Sequence, residues 1–285
     1  GFGIGYRRQD GRVKREFVIK LTVVKKRGRR SKDIKLLPRQ VEIPVGKGRR
    51  RLTVHMHTDV EAARAWRPLR FAVMDGEAAA TATCLARWRE GEELRFGVVT
   101  AGHGVWARGK QLSVATRNGP QPGVVRVTSD LVTDHLDATL VELPVAGLAE
   151  TELMPATPLA AVQAPLNLDE TVALIGESTI DGVDIRIEQW AQANLLKGTA
   201  LALHLSYTVP RVDEASVDLT NVVEAKGRAG MFVRGASGAT WATAKSTVAG
   251  RPMAFTSHGC DQAGLGTHLL DAAQWLQRTG ALSDF

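Results

Sequence analysis

Val98-Val99-Thr100-Ala101-Gly102-His103-Gly104 reads as an apolar strand that runs into small residues and then presents a histidine. Downstream, Asp137-Ala138-Thr139-Leu140-Val141-Glu142-Leu143 sets an acid just before an alternating apolar strand. Further on, Arg234-Gly235-Ala236-Ser237-Gly238-Ala239-Thr240 sets a serine in a glycine-flanked turn between strands. Taken singly, each has an ordinary structural reading: a turn serine, a strand-end histidine, an acid closing a loop. Their order on a strand-rich chain is the informative feature.

The residue types fit one kind of chemistry. A serine hydroxyl is a weak nucleophile near neutral pH and needs a base within hydrogen-bond reach. Imidazole suits that task, and a carboxylate on its other ring nitrogen fixes the tautomer and stabilises the imidazolium as it forms. Small residues around the serine let backbone N–H groups approach a substrate oxygen closely.

Outward from these stretches the chain reads as a series of short strands bounded by turn residues. They are expected at 79–87, 94–100, 111–116, 123–127, 138–143, 171–175, 184–193, 202–209, 230–233, 240–243 and 253–257. Near-regular short strands argue for a sandwich or barrel. Helical periodicity is clear only at Thr267–Arg278, where Leu269, Leu270, Ala273 and Leu276 lie near one face. Upstream, 15–24 and 51–57 are strand candidates, and the intervening region is punctuated by Gly28, Pro38, Pro44, Gly46 and Gly48. The opening Gly1-Phe2-Gly3-Ile4-Gly5 is not a dinucleotide fingerprint, because no strand precedes it and no helix plainly opens behind it.

Of the 285 residues, the first 51 carry 18 Lys or Arg against 4 acids, so the net +7 charge originates in this segment. Residues 1–51 are therefore suited to a polyanion such as nucleic acid, or form a solvated charged face. No aromatic stacking pattern accompanies the charges. His55 and His57 share a strand face, but no third metal ligand is evident nearby, so no metal or other cofactor is expected. Cys84 and Cys260 are too few for a disulfide scaffold; two buried thiols and a single disulfide both stand. No apolar run approaches the roughly 20 residues needed to span a bilayer. The opening residues also lack the pattern of a secretory signal.

From Phe71 to Phe285 the motifs resemble the trypsin and chymotrypsin family of serine peptidases. Thr100-Ala101-Gly102-His103 resembles that family's T-A-A-H, Asp137–Leu143 its D-I-A-L-L-x-L, and Gly235-Ala236-Ser237-Gly238 its G-D-S-G. Ser257-His258-Gly259 resembles the S-W-G strand that lines the substrate cleft. The resemblance implies an all-β fold of two six-stranded antiparallel barrels with a C-terminal helix over 71–285. A basic, β-rich extension over 1–70 precedes it. It implies His103, Asp137 and Ser237 as a catalytic triad acting on a polypeptide substrate through an acyl-enzyme, with the N–H groups of Gly235 and Ser237 as oxyanion hole. Met231, Ser257, His258 and Gly259 would line the substrate site. Asp137 is preferred over its neighbours Asp130 and Asp134 because it alone directly precedes the apolar strand in the family register.

Two departures matter. Ala236 replaces the acid that pairs with a newly freed N-terminal amine in the family, which excludes activation by that ion pair. Met231 stands where lysine- and arginine-cleaving members carry an acid, so an apolar or small side chain is expected at the cleavage site. The competing expectation is a silent relative that serves as a binding or scaffolding module.

Overall fold

The computed structural model describes residues 1–10, 12–24, 38–46, 52–64, 66–68, 71–72, 78–79, 81–103, 108–116, 119–144, 171–175, 196–210, 215–227, 232, 236–245, 248–260 and 262–282. The strands expected at 184–193 and, apart from Phe232, at 230–233 lie outside these residues, as do Met231 and Gly235. In chain order the elements begin with β1 (Phe2–Gln9), β2 (Arg12–Val23), β3 (Gln40–Val45) and β4 (Leu52–Ala62). Three two-residue strands follow: β5 (Arg67–Pro68), β6 (Phe71–Ala72) and β7 (Ala78–Ala79). Next come β8 (Cys84–Glu90), β9 (Glu93–Thr100), β10 (Gln111–Thr116), β11 (Gly119–Thr128) and β12 (Thr139–Leu143). The last group is β13 (Thr171–Ile175), β14 (Leu196–Val209), β15 (Val217–Lys226), β16 (Thr240–Lys245), β17 (Val248–Cys260), β18 (Ala263–His268) and helix α1 (Leu269–Arg278).

β8 to β12 form a five-stranded antiparallel sheet in the order β10-β11-β12-β9-β8. Its buried residues Phe96, Val98, Val125, Val141 and Leu143 make one apolar cluster. The second sheet has eleven strands. Within it β13, β16, β17, β18, β15 and β14 pair in succession, and β13 also pairs with β14. The expectation of two six-stranded barrels is met in coarser form: a mostly β chain with two main sheets and one C-terminal helix. Helix α1 starts at Leu269 rather than Thr267, because Thr267 and His268 still belong to β18. Its buried Leu269, Ala272, Trp275 and Leu276 pack with Trp88, Leu140 and Phe255. Among the described residues no helix is long and apolar enough to cross a membrane.

Six described strands escaped the reading of the sequence: β5 and β6, whose two residues carry no period, and β1, β3, β15 and β18, each for a physical reason. β1 and β18 are rich in glycine, which has little strand propensity, and β3 contains Pro44. In β1 the glycine is required by contact. A Cβ on Gly3 would lie 2.2 Å from the Leu203 carbonyl oxygen of the neighbouring strand β14. β15 mixes Asp218, Asn221 and Glu224 into its apolar residues, and Asn221 has a positive φ of 50° that breaks the alternation.

The N-terminal strands continue the larger sheet: β1 pairs with β14, β2 with β1, β4 in parallel with β2, and β3 with β4. Charge as well as backbone ties this seam. Lys20, only 3% exposed, contacts Asp59 and Glu61. Arg8 donates to the buried Glu224 carboxylate at 3.0 Å, Arg64 lies 3.7 Å from it, and His204 Nε2 meets its other oxygen at 3.0 Å. Part of the basic surplus that suggested a polyanion partner is thus matched internally, as Arg7 is by Glu16. Cys84 is buried and Cys260 half-buried, and no disulfide joins them. Burial pushes the Cys84 thiol up to about 12. His55 lies 3.6 Å from Glu42, and among the described residues His55 and His57 belong to no metal-binding cluster.

Burial alone raises the pKa of Glu224, but the His204 hydrogen bond and the charges of His204, Arg8 and Arg64 outweigh it. They bring the pKa down from 4.5 to about 2. A carboxylate held lower in the folded state contributes its stability in full above 4.5 and loses it as pH falls towards 2. Glu224→Ala, which leaves the surrounding cations without their acid, is expected to cost about 3 kcal/mol in urea unfolding at pH 7. The difference from the parent should shrink steadily below pH 4.5; an unchanged midpoint at pH 7 would show that the network holds nothing.

Candidate active site

The five-stranded sheet supplies the histidine and the acid. His103 follows β9 and Asp137 precedes β12, and these two strands pair antiparallel with Thr100 opposite Thr139. That register sets the two residues side by side. The acid is held locally: Ser129 N–H donates to the Ala138 carbonyl at 2.8 Å, and the Ser129 hydroxyl accepts from Ala138 N–H at 2.9 Å. Asp130 and Asp134 are exposed and engage each other's turn, with Asp130 N–H donating to Asp134 Oδ2 at 2.8 Å. Neither replaces Asp137.

The larger sheet supplies the serine, in the turn before β16. Here the backbone is strapped by threonines. Thr81 N–H donates to the Ser237 carbonyl at 2.6 Å, Gly238 N–H to the Thr256 carbonyl at 2.8 Å, and Thr83 Oγ1 to the Gly238 carbonyl at 2.7 Å. Gly238 has φ of +81°, the left-handed region, and a Cβ there would sit 1.9 Å from the Thr81 carbonyl oxygen. Ala236, preceding the serine, is buried in an apolar cluster with Val223, Phe232, Trp241 and Met253. Apolar packing thus stands where the resembling family uses an ion pair.

The three side chains meet in one succession. His103 Nδ1 lies 2.7 Å from Asp137 Oδ2, and His103 Nε2 lies 2.8 Å from Ser237 Oγ. The His103 backbone N–H also donates to Asp137 Oδ1 at 2.7 Å. Asp137 and Ser237 are 0% exposed and His103 4%. Burial raises the Asp137 pKa, but the charge and hydrogen bond of His103, the charge of His258 and the Ser257 hydroxyl outweigh it. The carboxyl is held well below the usual carboxylate range. An ionised carboxylate only accepts, so His103 must carry its proton on Nδ1, leaving the Nε2 lone pair for the Ser237 hydroxyl.

Two further groups join the chain. Ser257 donates its hydroxyl proton to Asp137 Oδ2, and its oxygen lies 2.8 Å from His258 Nδ1. Ser257 has one proton and gives it to the charged acceptor, so His258 Nδ1–H is the donor to Ser257. A bulge makes this possible. Thr256 pairs with Gly266 and His258 with the next residue, Leu265, leaving Ser257 as the extra residue on β17. Such a bulge upsets the strict alternation of faces, so successive side chains turn towards one target. His103, Asp137 and His258 bring ligand-type atoms within 4.8 Å of one another. Those on His103 and Asp137 are engaged in the hydrogen bonds just described.

No family model matches this chain, and no curated protein matches it. Among solved structures it is similar to kallikrein-related peptidase 10, at 15% identity and a TM-score of 0.39 over 70% of this chain and 96% of that one. A second structure of that peptidase, complexed with Zn2+, gives 14% identity and a TM-score of 0.38 over 73% of this chain and 100% of that one. It is also similar to a thermostable serine protease from an extremophilic microorganism, at 14% identity and a TM-score of 0.40 over 69% of this chain and 94% of that one.

Reading the sequence singles out His103, Asp137, Ser237, Ser257 and His258, which the structure links by hydrogen bonds, while Met231 and Gly235 lie outside the described residues. It missed Thr81 and Thr83, whose role depends on a contact more than 150 residues away in the chain. Gly238→Ala is expected to destabilise the fold by about 3 kcal/mol or more, combining steric overlap with a strained φ. Thermal unfolding checks this. A melting point within a degree or two of the parent would show that the turn does not need its glycine.

Proposed function

We propose that this chain is a trypsin/chymotrypsin-like serine peptidase of two-barrel architecture that cleaves polypeptides through His103, Asp137 and Ser237. One observation carries the reading: the unbroken hydrogen-bond succession from Asp137 Oδ2 through the His103 ring to Ser237 Oγ, at 2.7 and 2.8 Å. A scaffolding module has no chemical need of a buried hydroxyl, imidazole and carboxylate in that order.

In this mechanism Ser237 Oγ attacks the substrate carbonyl carbon while its proton passes to His103 Nε2. Asp137 keeps the imidazole in its Nδ1–H tautomer and stabilises the imidazolium. The N–H groups of Gly235 and Ser237 receive the developing oxyanion, each such donor being worth about 3 kcal/mol in sites of this kind. His103 then returns its proton to the leaving amine, and water repeats the sequence to release the acyl group. Met231, in place of an acid at the specificity position, favours an apolar or small side chain. Ser257, His258 and Gly259 form the cleft wall along which the substrate backbone extends.

A fluorophosphonate probe should label the full chain and fail to label Ser237→Ala. Absence of Ser237 labelling in the folded parent and in every folded variant that keeps Ser237 would end the peptidase reading. Asp137→Asn is expected to lower turnover of an unstructured protein substrate by about four orders of magnitude while the fold survives. A loss below tenfold would show that the carboxylate does not serve the imidazole.

A further inference from the structure

β17 has two edges. Along one, β18 pairs with it as far as Cys260 opposite Ala263. Along the other, the ladder with β16 runs only to Phe255, opposite Thr240. Beyond that point the edge pairs with β5: His258 lies opposite Pro68 and Gly259 opposite Arg67, antiparallel. This stretch of edge borders the triad. Ser257 bonds Asp137, and the His258 ring lies 5.1 Å from the His103 ring.

We infer that β5 is an internal strand seated on the edge that the peptidase would offer to its substrate, so that the chain in this conformation is latent. The inference rests on the function proposed above and adds its regulation. An extended polypeptide binds a sheet edge by supplying the next strand, and an edge accepts one strand at a time. While Arg67–Pro68 pair with His258 and Gly259, a substrate backbone has no ladder there.

The occupying segment is pinned at both ends. Just before β5, Trp66 is completely buried, its Nε1–H donates to Tyr207 OH at 3.0 Å, and its backbone N–H donates to the Pro210 carbonyl at 2.9 Å. Downstream, Thr81 N–H holds the Ser237 carbonyl. Arg67–Pro68 thus lie beside His258 and Gly259, and Thr81 lies against the nucleophile's own turn.

The seat is also weak enough to be vacated. β5 has two residues, and Pro68 has no N–H to give the ladder. Its hold comes from tethering, which acts as a millimolar effective concentration, rather than from a long run of bonds. Displacement of β5, by cutting the chain on either side or by a competing strand, would open the edge without disturbing Trp66 or the triad.

The test compares the full chain with Arg67→Pro, which removes the remaining N–H of the pair, and with Pro68→Gly, which loosens the strand while leaving every large side chain in place. Fluorophosphonate labelling of Ser237 and cleavage of an unstructured protein should both rise by about tenfold or more in each folded variant. Equal labelling and cleavage rates in parent and variants would overturn the latency while leaving the peptidase reading intact. If neither parent nor variants label, the peptidase reading fails, and the strand seat is judged by amide hydrogen exchange. In Arg67→Pro the Gly259 amide should exchange faster, and an added peptide of sequence Arg-Ala-Trp-Arg-Pro-Leu-Arg should restore its protection. Unchanged exchange, or no restoration, would refute the seat.

Discussion

Asp137 is a charge with no access to water, and the site is organised around keeping it ionised. A buried carboxylate left alone costs several kcal/mol. Here the His103 backbone, the His103 ring and the Ser257 hydroxyl all donate to it. Each bond to a charged group is worth about 1.5–3 kcal/mol, enough together to offset the loss of hydration. The same donors that stabilise the charge fix the imidazole in orientation and tautomer. The stabilisation of the buried charge and the orientation of the imidazole are therefore tied to one group.

The serine is held by different means. Its described residues are held by backbone hydrogen bonds to Thr81 and Thr256, a threonine hydroxyl from Thr83 and the apolar surroundings of Ala236. Neutral hydrogen bonds and packing do not wait for a newly created charge. The described part of the turn, residues 236–238, is held in this structure by those neutral contacts.

Much of this was legible in the sequence because it is local. Apolar alternation marks β9 and β12, and the special residues flank strands whose pairing follows from antiparallel register. Long β2 and the helical tail are written in periodicity. What stayed hidden is non-local or runs against propensity. The glycines of β18 look like loop, yet Gly264 and Gly266 are there because the Phe232 and Trp241 rings lie against them. Lys20 counts as one more surface cation until β4 brings Asp59 and Glu61 beside it in the parallel register. The bulge at Ser257 arises from pairing with Gly266 and Leu265, which no residue in the Ser-His-Gly triplet announces.

The N-terminal region then acquires a mechanical meaning that its charge alone does not suggest. β1 is hydrogen-bonded to β14, and the Arg8, Arg64 and Glu224 contacts lock the end of β4 to β15. Arg64 stands two residues before Trp66, so the same network fixes where the chain emerges towards β5. Tyr207 on β14 accepts from Trp66, and His204 on the same strand meets Glu224 and stacks edge-on to Tyr207 with ring centres 4.7 Å apart. An ion-pair seam far along the sheet is thus connected, through one buried indole, to the strand beside His258. The N-terminal strands are joined, through Arg64 and Trp66, to the strand that pairs with His258 and Gly259.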